Sequence, residues 1–367
     1  MKFLFYLGHP AHYHNIKVVA KNLIQQNHKV LLVAREKDVL FKLLEDEPFD
    51  IIYLPPRKGN SKAALVATIL RREVKMLGIA RKFKPDLLIG TDIVIAHVAS
   101  MIGAKSIILN EDDVWEIPFF TKYGIKYCNT VLSPISCGSE PYDYKTIKYP
   151  GFHELAYLHP NHFTPNREVV ERLGDTPYFI LRFSSLDAHH DDNRTGITDE
   201  LATSLIEILK PHGRVYITSE RPLRSEFDDY RIGIHPKDMH HAMAFADLYI
   251  GDSQTMAAEA AVLGTPSLRF NDFVGKLGYL DELEHKYGLT FGFKTTQKDK
   301  LLNKVSEIVN DHNAKILWPD MREQMLKERV DVARFWTWFF VNYPASLASA
   351  NYESFDFETL AIADQKA

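Results

Sequence analysis

Short apolar runs alternate with helical patterns through the first 150 residues. Phe3 to Leu7 is strand-like, and between 15 and 26 the residues Ile16, Val19, Ala20 and Leu23 recur on one helical face. Val30 to Ala34 and Ile51 to Leu54 again read as strands. Ser61 can cap a long helix reaching Phe83. A strand from Asp86 to Ile89, a helix around Ile93 to Met101 and a strand from Ser106 to Leu109 follow. Such alternation predicts a parallel sheet covered by helices on both faces. From about 150 to 177 the pattern lapses among Pro150-Gly151, Pro160, Pro165 and Pro177, which reads as a connection between domains.

A second series then begins. Tyr178 to Phe183, Val215 to Thr218, Leu248 to Ile250 and Ser267 to Phe270 read as strands. Leu201 to Leu209, Gln254 to Leu263 and Leu301 to Val309 read as helices, and Asp320 to Phe340 as one or two more. The fold class expected is α/β, with two doubly wound domains at 1–160 and 161–335. A C-terminal helix and tail at 336–367 is expected to cross back to the first domain. Ligands of such sheets bind beyond the carboxyl ends of the strands, so chemistry is expected in the loops there.

Length and composition narrow the function. A chain of 367 residues suits two α/β domains, and an apolar share of 46% can fill their cores. The net charge of -4 offers no bulk attraction to nucleic acid, and no nucleic-acid partner is expected. The two cysteines, Cys128 and Cys137, are not in a CxxC spacing, which suits a reducing compartment and a cytoplasmic location. The N-terminal apolar run is too short for a signal peptide, and no run reaches the length of a membrane span. One segment, Phe335-Trp336-Thr337-Trp338-Phe339-Phe340-Val341, has two readings. It is an aromatic helix packed across a domain interface, or a peripheral contact with the inner face of a membrane.

Three loops carry candidate chemistry. Gly8-His9-Pro10-Ala11-His12-Tyr13-His14-Asn15 places three histidines after the first strand. Imidazole exchanges protons near neutral pH and suits activation of a hydroxyl; capping the following helix is the plainer role. A zinc site lacks an obvious fourth ligand. The second loop runs from Arg182 to Asp192. Arginine beside Ser184 and Ser185 can hold phosphate oxygens, and the His189-His190-Asp191-Asp192 run is either a metal site or a flexible polar loop. The third runs from Ala246 to Pro266. There a strand leads through Gly251-Asp252-Ser253-Gln254-Thr255 into a helix, whose free N–H groups with Ser253 and Thr255 make an anion site. Glu259 lies one turn in, on the Thr255 face, where a carboxylate can accept from ribose hydroxyls.

The Glu-Ala-Ala-x-x-Gly-Thr-Pro pattern from Glu259 to Pro266 resembles the donor-nucleotide helix of GT-B enzymes. Those include the N-acetylglucosaminyltransferase that forms lipid II, and UDP-N-acetylglucosamine 2-epimerase. A closer resemblance is to an uncharacterised GT-B-like family of bacteria and archaea, a domain of unknown function. Three segments carry it: Pro10 to His14, Arg182 to Asp191, and Gly151-Phe152-His153-Glu154-Leu155-Ala156-Tyr157-Leu158. The resemblance implies two Rossmann-like domains facing across a cleft, an acceptor domain first and a donor domain second. It makes His12 the catalytic base. It assigns donor binding to Arg182, Ser184, Ser185, His190, His235, Ser253, Gln254, Thr255 and Glu259. It implies no bound metal and no cofactor, with a nucleotide sugar, a UDP-sugar foremost, as substrate.

The function expected is inverting glycosyl transfer in surface polysaccharide or glycan biosynthesis, with a lipid-linked glycan as one acceptor. The alternatives are a nucleotide-sugar 2-epimerase or hydrolase, for which Glu111, Asp112 and Asp113 could supply acid and base, and a non-catalytic nucleotide-sugar-binding assembly protein.

Overall fold

A computed structural model describes residues 1–36, 38–55, 62–184, 196–311 and 313–350. Ser61 and the tail beyond 350 lie outside these residues. The chain divides into two compact units. Unit 1 joins Met1–His162 to the described residues from Arg329 onward, and unit 2 is Phe163–Glu328. The return to unit 1 thus starts at Arg329, ahead of the position 336 read from the sequence.

Unit 1 holds seven strands: β1 (Lys2–Leu7), β2 (Lys29–Arg35), β3 (Asp50–Leu54), β4 (Leu87–Gly90), β5 (Lys105–Leu109), β6 (Thr130–Pro134) and β7 (Thr146–Tyr149). Their order is β3-β2-β1-β4-β5-β6-β7 and every pairing is parallel. Phe3, Leu4, Phe5 and Tyr6 are all fully buried, as a central strand covered on both faces requires. The strand order reverses between β1 and β4, so the loops after these two strands flank a switch point.

Unit 2 holds β8 (Tyr178–Phe183), β9 (Arg214–Ser219), β10 (Leu248–Gly251), β11 (Ser267–Phe270) and β12 (Thr290–Phe293). Their order is β12-β11-β10-β8-β9, again all parallel. The reversal here falls between β8 and β10.

Three of these strands, β6, β7 and β12, were not read from the sequence. Each is short, and polar or small residues break its apolar run: Ser133 and Pro134, Lys148, and Gly292. The segment from Gly151 to Leu158 is no open connection either. Phe152, Leu155, Ala156, Tyr157 and Leu158 are buried in unit 1.

The region read as one or two helices is two, Ala314–Glu328 and Val332–Val341. The second belongs to the core of unit 1. Phe335, Trp336, Phe339 and Phe340 are fully buried. Trp336 packs its edge on Tyr149 at 6.0 Å between ring centroids, and Phe340 meets Phe5 at 6.2 Å. Asn22 donates to the Thr337 hydroxyl at 3.3 Å. Burial of each such ring stabilises by about 1.5–3 kcal/mol. The aromatic segment therefore packs inward, and of its rings only Trp338 stays partly exposed. Among the described residues no helix is long and apolar enough to cross a membrane.

Candidate active site

The histidine-rich segment after β1 is mostly helix. Pro10 opens the helix Pro10–Gln25, its fixed φ suiting the first position, and His9 caps it by accepting from the Ala11 N–H at 3.3 Å. His12 lies in the first turn and accepts at Nδ1 from the Gly8 N–H at 3.2 Å. A neutral ring that accepts at Nδ1 carries its hydrogen on Nε2. In that neutral form His12 offers a donor at Nε2, and taking a proton at Nδ1 would displace the bond from Gly8. His14 stacks on Tyr157 at 5.3 Å between centroids and is buried.

At the switch point itself Asp92 caps the helix Ile93–Ile102, accepting from the Val94 N–H at 3.0 Å. Its second oxygen pairs with Arg72 at 3.3 Å, and Arg72 also donates to the Tyr6 hydroxyl at 3.0 Å.

The loop after β5 meets the segment after β7. Glu111 accepts from the His153 N–H at 2.5 Å, and the Glu154 carboxyl is near enough to act on its charge. Two buried carboxyls so close favour holding one proton between them. Burial, and then the charge of Glu154, push the Glu111 carboxyl well above its ordinary range. Glu154 is 1% exposed, whereas the Glu111 side chain is 15% exposed and so reachable. Burial, with Asp113 adding to it, also raises Asp112. The His153 ring receives the Asn15 side-chain amide at 3.3 Å. Burial, and then repulsion from His12 when both rings are protonated, lowers its pKa to about 3, so the ring is neutral. The arrangement is a proton-sharing carboxyl pair set against a neutral imidazole. Sequence reasoning had named Glu111 and missed its partners. The Gly-Phe-His-Glu-Leu-Ala-Tyr-Leu segment that holds His153 and Glu154 was the available signal.

In unit 2 Arg182 and Ser184 stand at the end of β8, and Ser253, Gln254 and Thr255 follow β10. Arg182 donates to the Thr218 hydroxyl at 3.0 Å and forms an ion pair with Glu220. Its Nε is buried without a partner. Asp252 accepts from the Ser184 N–H at 2.6 Å and the Ile197 N–H at 3.2 Å. Ser185, His190 and the other polar residues between them lie outside the described residues. The Asp252 carboxylate thus fixes both described flanks of that loop. Gly196 makes this possible, since a Cβ there would stand 2.3 Å from Asp252 Oδ2.

Ser253 caps the helix Gln254–Leu263 by accepting from the Met256 N–H at 3.4 Å. Gln254 opens it, and both polar atoms of its side-chain amide are buried with no partner. Thr255 follows, part-exposed. Glu259 is 4% exposed and pairs with His240 Nε2 at 2.9 Å. One of its oxygens is therefore occupied, and His240 is a neighbour of the site. His235 caps the short turn Pro236–Asp238, accepting from the Lys237 N–H at 3.2 Å.

A cavity of about 330 Å³ in unit 2 opens beside Thr176, Asp247 and Pro266. These residues precede β8, β10 and β11, so it lies at the opposite sheet edge from the switch point.

No family model matches the chain, and no curated protein matches it in sequence. Solved structures do match. A putative UDP-N-acetylglucosamine 2-epimerase from Listeria monocytogenes is 13% identical with a TM-score of 0.64, covering 94% of this chain and 97% of that one. The S. aureus MnaA–UDP complex is 12% identical with a TM-score of 0.65, covering 94% and 98%. The spinosyn forosaminyltransferase SpnP is 14% identical with a TM-score of 0.61, covering 93% and 99%. Two parallel α/β units with these neighbours make this a GT-B fold, the class that the donor-helix pattern implied.

Proposed function

We propose that unit 2 binds a nucleotide-activated sugar, a UDP-sugar foremost, and that the enzyme transfers the sugar to an acceptor hydroxyl. The observation that carries this reading is the polar constellation at the β8–β10 switch point. A helix start there presents N–H groups suited to a diphosphate, beside Ser253, Thr255 and the Arg182 guanidinium. The unpartnered Gln254 amide at the same place would be costly to bury unless a ligand satisfies it.

In transfer, the acceptor O–H bond breaks and its oxygen bonds the anomeric carbon. The bond from that carbon to the diphosphate breaks, and its electron pair leaves with the nucleoside diphosphate. The charged half of the Glu111–Glu154 pair takes the acceptor proton. His12, in its Nε2–H form, serves as a donor to developing negative charge; to act as the base it would first have to surrender the bond from Gly8. The reading requires no metal or cofactor.

A second reading, epimerisation or hydrolysis of the bound sugar, is favoured by that same carboxyl pair. It holds an acid and a base together and needs no acceptor.

One assay separates the two. The protein is incubated with UDP-, GDP-, CMP- and dTDP-sugars, with and without a lipid extract containing glycan carriers. Mass spectrometry follows donor loss, and calorimetry follows binding. Loss only with extract supports transfer to a lipid-linked acceptor, and loss without it supports the second reading. Binding without turnover of any donor leaves a binding protein. Gln254→Ala is expected to weaken nucleotide-sugar binding about tenfold, the worth of a buried hydrogen-bonding group. Unchanged binding would remove the donor-site assignment.

A further inference from the structure

Beyond the carboxyl pair, the loop after β5 continues into Trp115, which is 59% exposed. Its indole is nonetheless fixed. The Cη2 edge of its six-membered ring abuts Gly138, where an added Cβ would stand 1.9 Å from Trp115 Cη2 and 2.3 Å from Cζ3. The two strands of chain are stapled together there. The Val114 N–H donates to the Gly138 carbonyl at 3.2 Å, the Gly138 N–H to Asp113 Oδ1 at 2.5 Å, and the Cys137 thiol to the Glu111 carbonyl at 2.9 Å. With its Cη2 edge against Gly138 and the residue 59% exposed, the ring is an apolar platform open to solvent.

The platform borders a cavity of about 510 Å³ that Pro118, Lys122, Lys126, Glu140 and Tyr142 also line. We infer that this cavity is a saccharide-binding subsite, which receives the acceptor glycan with a pyranose ring stacked on Trp115. The inference rests on the transfer reading above and names its acceptor class.

The chemistry of the lining selects that class. A pyranose offers a face of C–H bonds and a rim of hydroxyls. It therefore fits an aromatic plate surrounded by donors and acceptors of both signs. A nonpolar ligand would leave Glu140, Lys122 and Lys126 without use. A membrane surface is the competing occupant, since Phe119 and Tyr127, next in sequence to the lining residues Pro118 and Lys126, are 56% and 54% exposed. The exposed carboxylate of Glu140, however, lines the same depression as Lys122 and Lys126 and opposes anionic lipid. Trp115 follows Glu111 by four residues. Extended chain covers at most about 3.6 Å per residue, so the Cα atoms of Trp115 and Glu111 lie within roughly 14 Å of each other. A glycan of a few residues spans that distance.

The test uses the full chain and soluble oligosaccharides of N-acetylglucosamine, of mannose and of glucuronic acid. Saturation-transfer NMR reads binding, and iodide quenching reads exposure of the indole. At least one oligosaccharide is expected to bind and to protect Trp115 from iodide. Trp115→Ala is expected to weaken that binding about tenfold, the scale of one aromatic contact. Gly138→Ala, which displaces the ring without deleting it, is expected to do the same, and this guards against a misfolded Trp115→Ala. Nucleotide-sugar binding, measured by calorimetry on the same samples, is expected to be unchanged. Absence of binding by all three sugars, or binding by both variants as tight as the parent's, overturns the subsite. So does binding to phosphatidylglycerol vesicles that is lost with Trp115→Ala while no saccharide binds. If nucleotide sugars bind and saccharides do not, the subsite fails and the donor reading stands. If saccharides bind and no nucleotide sugar does, the subsite stands as a glycan site and the donor reading fails.

Discussion

In unit 1 the carboxyl after β5, Glu111, meets another carboxyl; in unit 2 the carboxyl after β10, Asp252, meets two backbone N–H groups. Burial raises both pKa values, and the partners then act in opposite directions. Glu154 pushes Glu111 further up, whereas the Ser184 and Ile197 N–H groups pull Asp252 back toward its ionised form. On the function proposed above, the same side-chain chemistry serves proton transfer in one unit and loop architecture in the other. Burial alone does not mark a catalytic carboxyl; what it faces does.

The largest effect that could break this contrast is on turnover. Glu111→Gln keeps the shape and removes the titrating proton. Positioned acid–base groups contribute about 10²–10⁴-fold, and a loss on that scale is expected, with nucleotide-sugar affinity unchanged. Rate and calorimetry on one preparation check it. Activity within a few fold of the parent would reduce the pair to a structural feature like Asp252.

The counterpart in unit 2 is a stability effect. Asp252→Ala orphans two N–H donors, each costing about 1–3 kcal/mol when buried. Faster amide hydrogen exchange is expected in β8 and β10, with unit 1 unaffected. Gly196→Ala should produce the same pattern, because its Cβ would collide with the Asp252 carboxylate. If either variant exchanges like the parent, Asp252 is free for a ligand and the contrast collapses.

What the sequence revealed follows the same division. Long apolar runs such as Phe3 to Leu7 announce their strands because a doubly covered strand must be apolar throughout. Strands of four residues with Lys148 or Gly292 inside them do not reach that threshold. Helix periodicity placed Glu259 and the small residues ahead of it correctly on or beside one helix. Pairings across long sequence separations left no local trace. His240 lies nineteen residues from Glu259, and Glu154 lies far beyond Glu111. The histidines show another limit of local pattern. Pro10 starts the helix early, so His9 caps and His12 already sits within it, and a neutral ring's tautomer is set by a backbone N–H that no motif displays.

The smallest prediction concerns how unit 1 is closed by its returning chain. Asp331 caps Val332–Val341 and binds His162 Nε2 at 2.7 Å and Asn161 at 2.9 Å. Burial alone would raise its carboxyl. The hydrogen bond and charge of His162, with Asn161 and the Arg334 N–H, outweigh that and hold it below the ordinary range. A carboxyl depressed in the folded state adds stability above its unfolded pKa of about 3.9 and loses it as pH falls through the folded value. Asp331→Asn keeps a capping oxygen and removes the charge. At pH 7 it should cost about 0.5–1 kcal/mol, the worth of a partly exposed ion pair. Hydrogen exchange in the Val332–Val341 helix reads the difference, and the gap between parent and variant should close below about pH 4. A gap that persists in acid would mean that packing of Trp336 and its neighbours, not the Asp331 charge, holds this helix in unit 1. The charge would then join Asp252 among the carboxylates whose role is geometric.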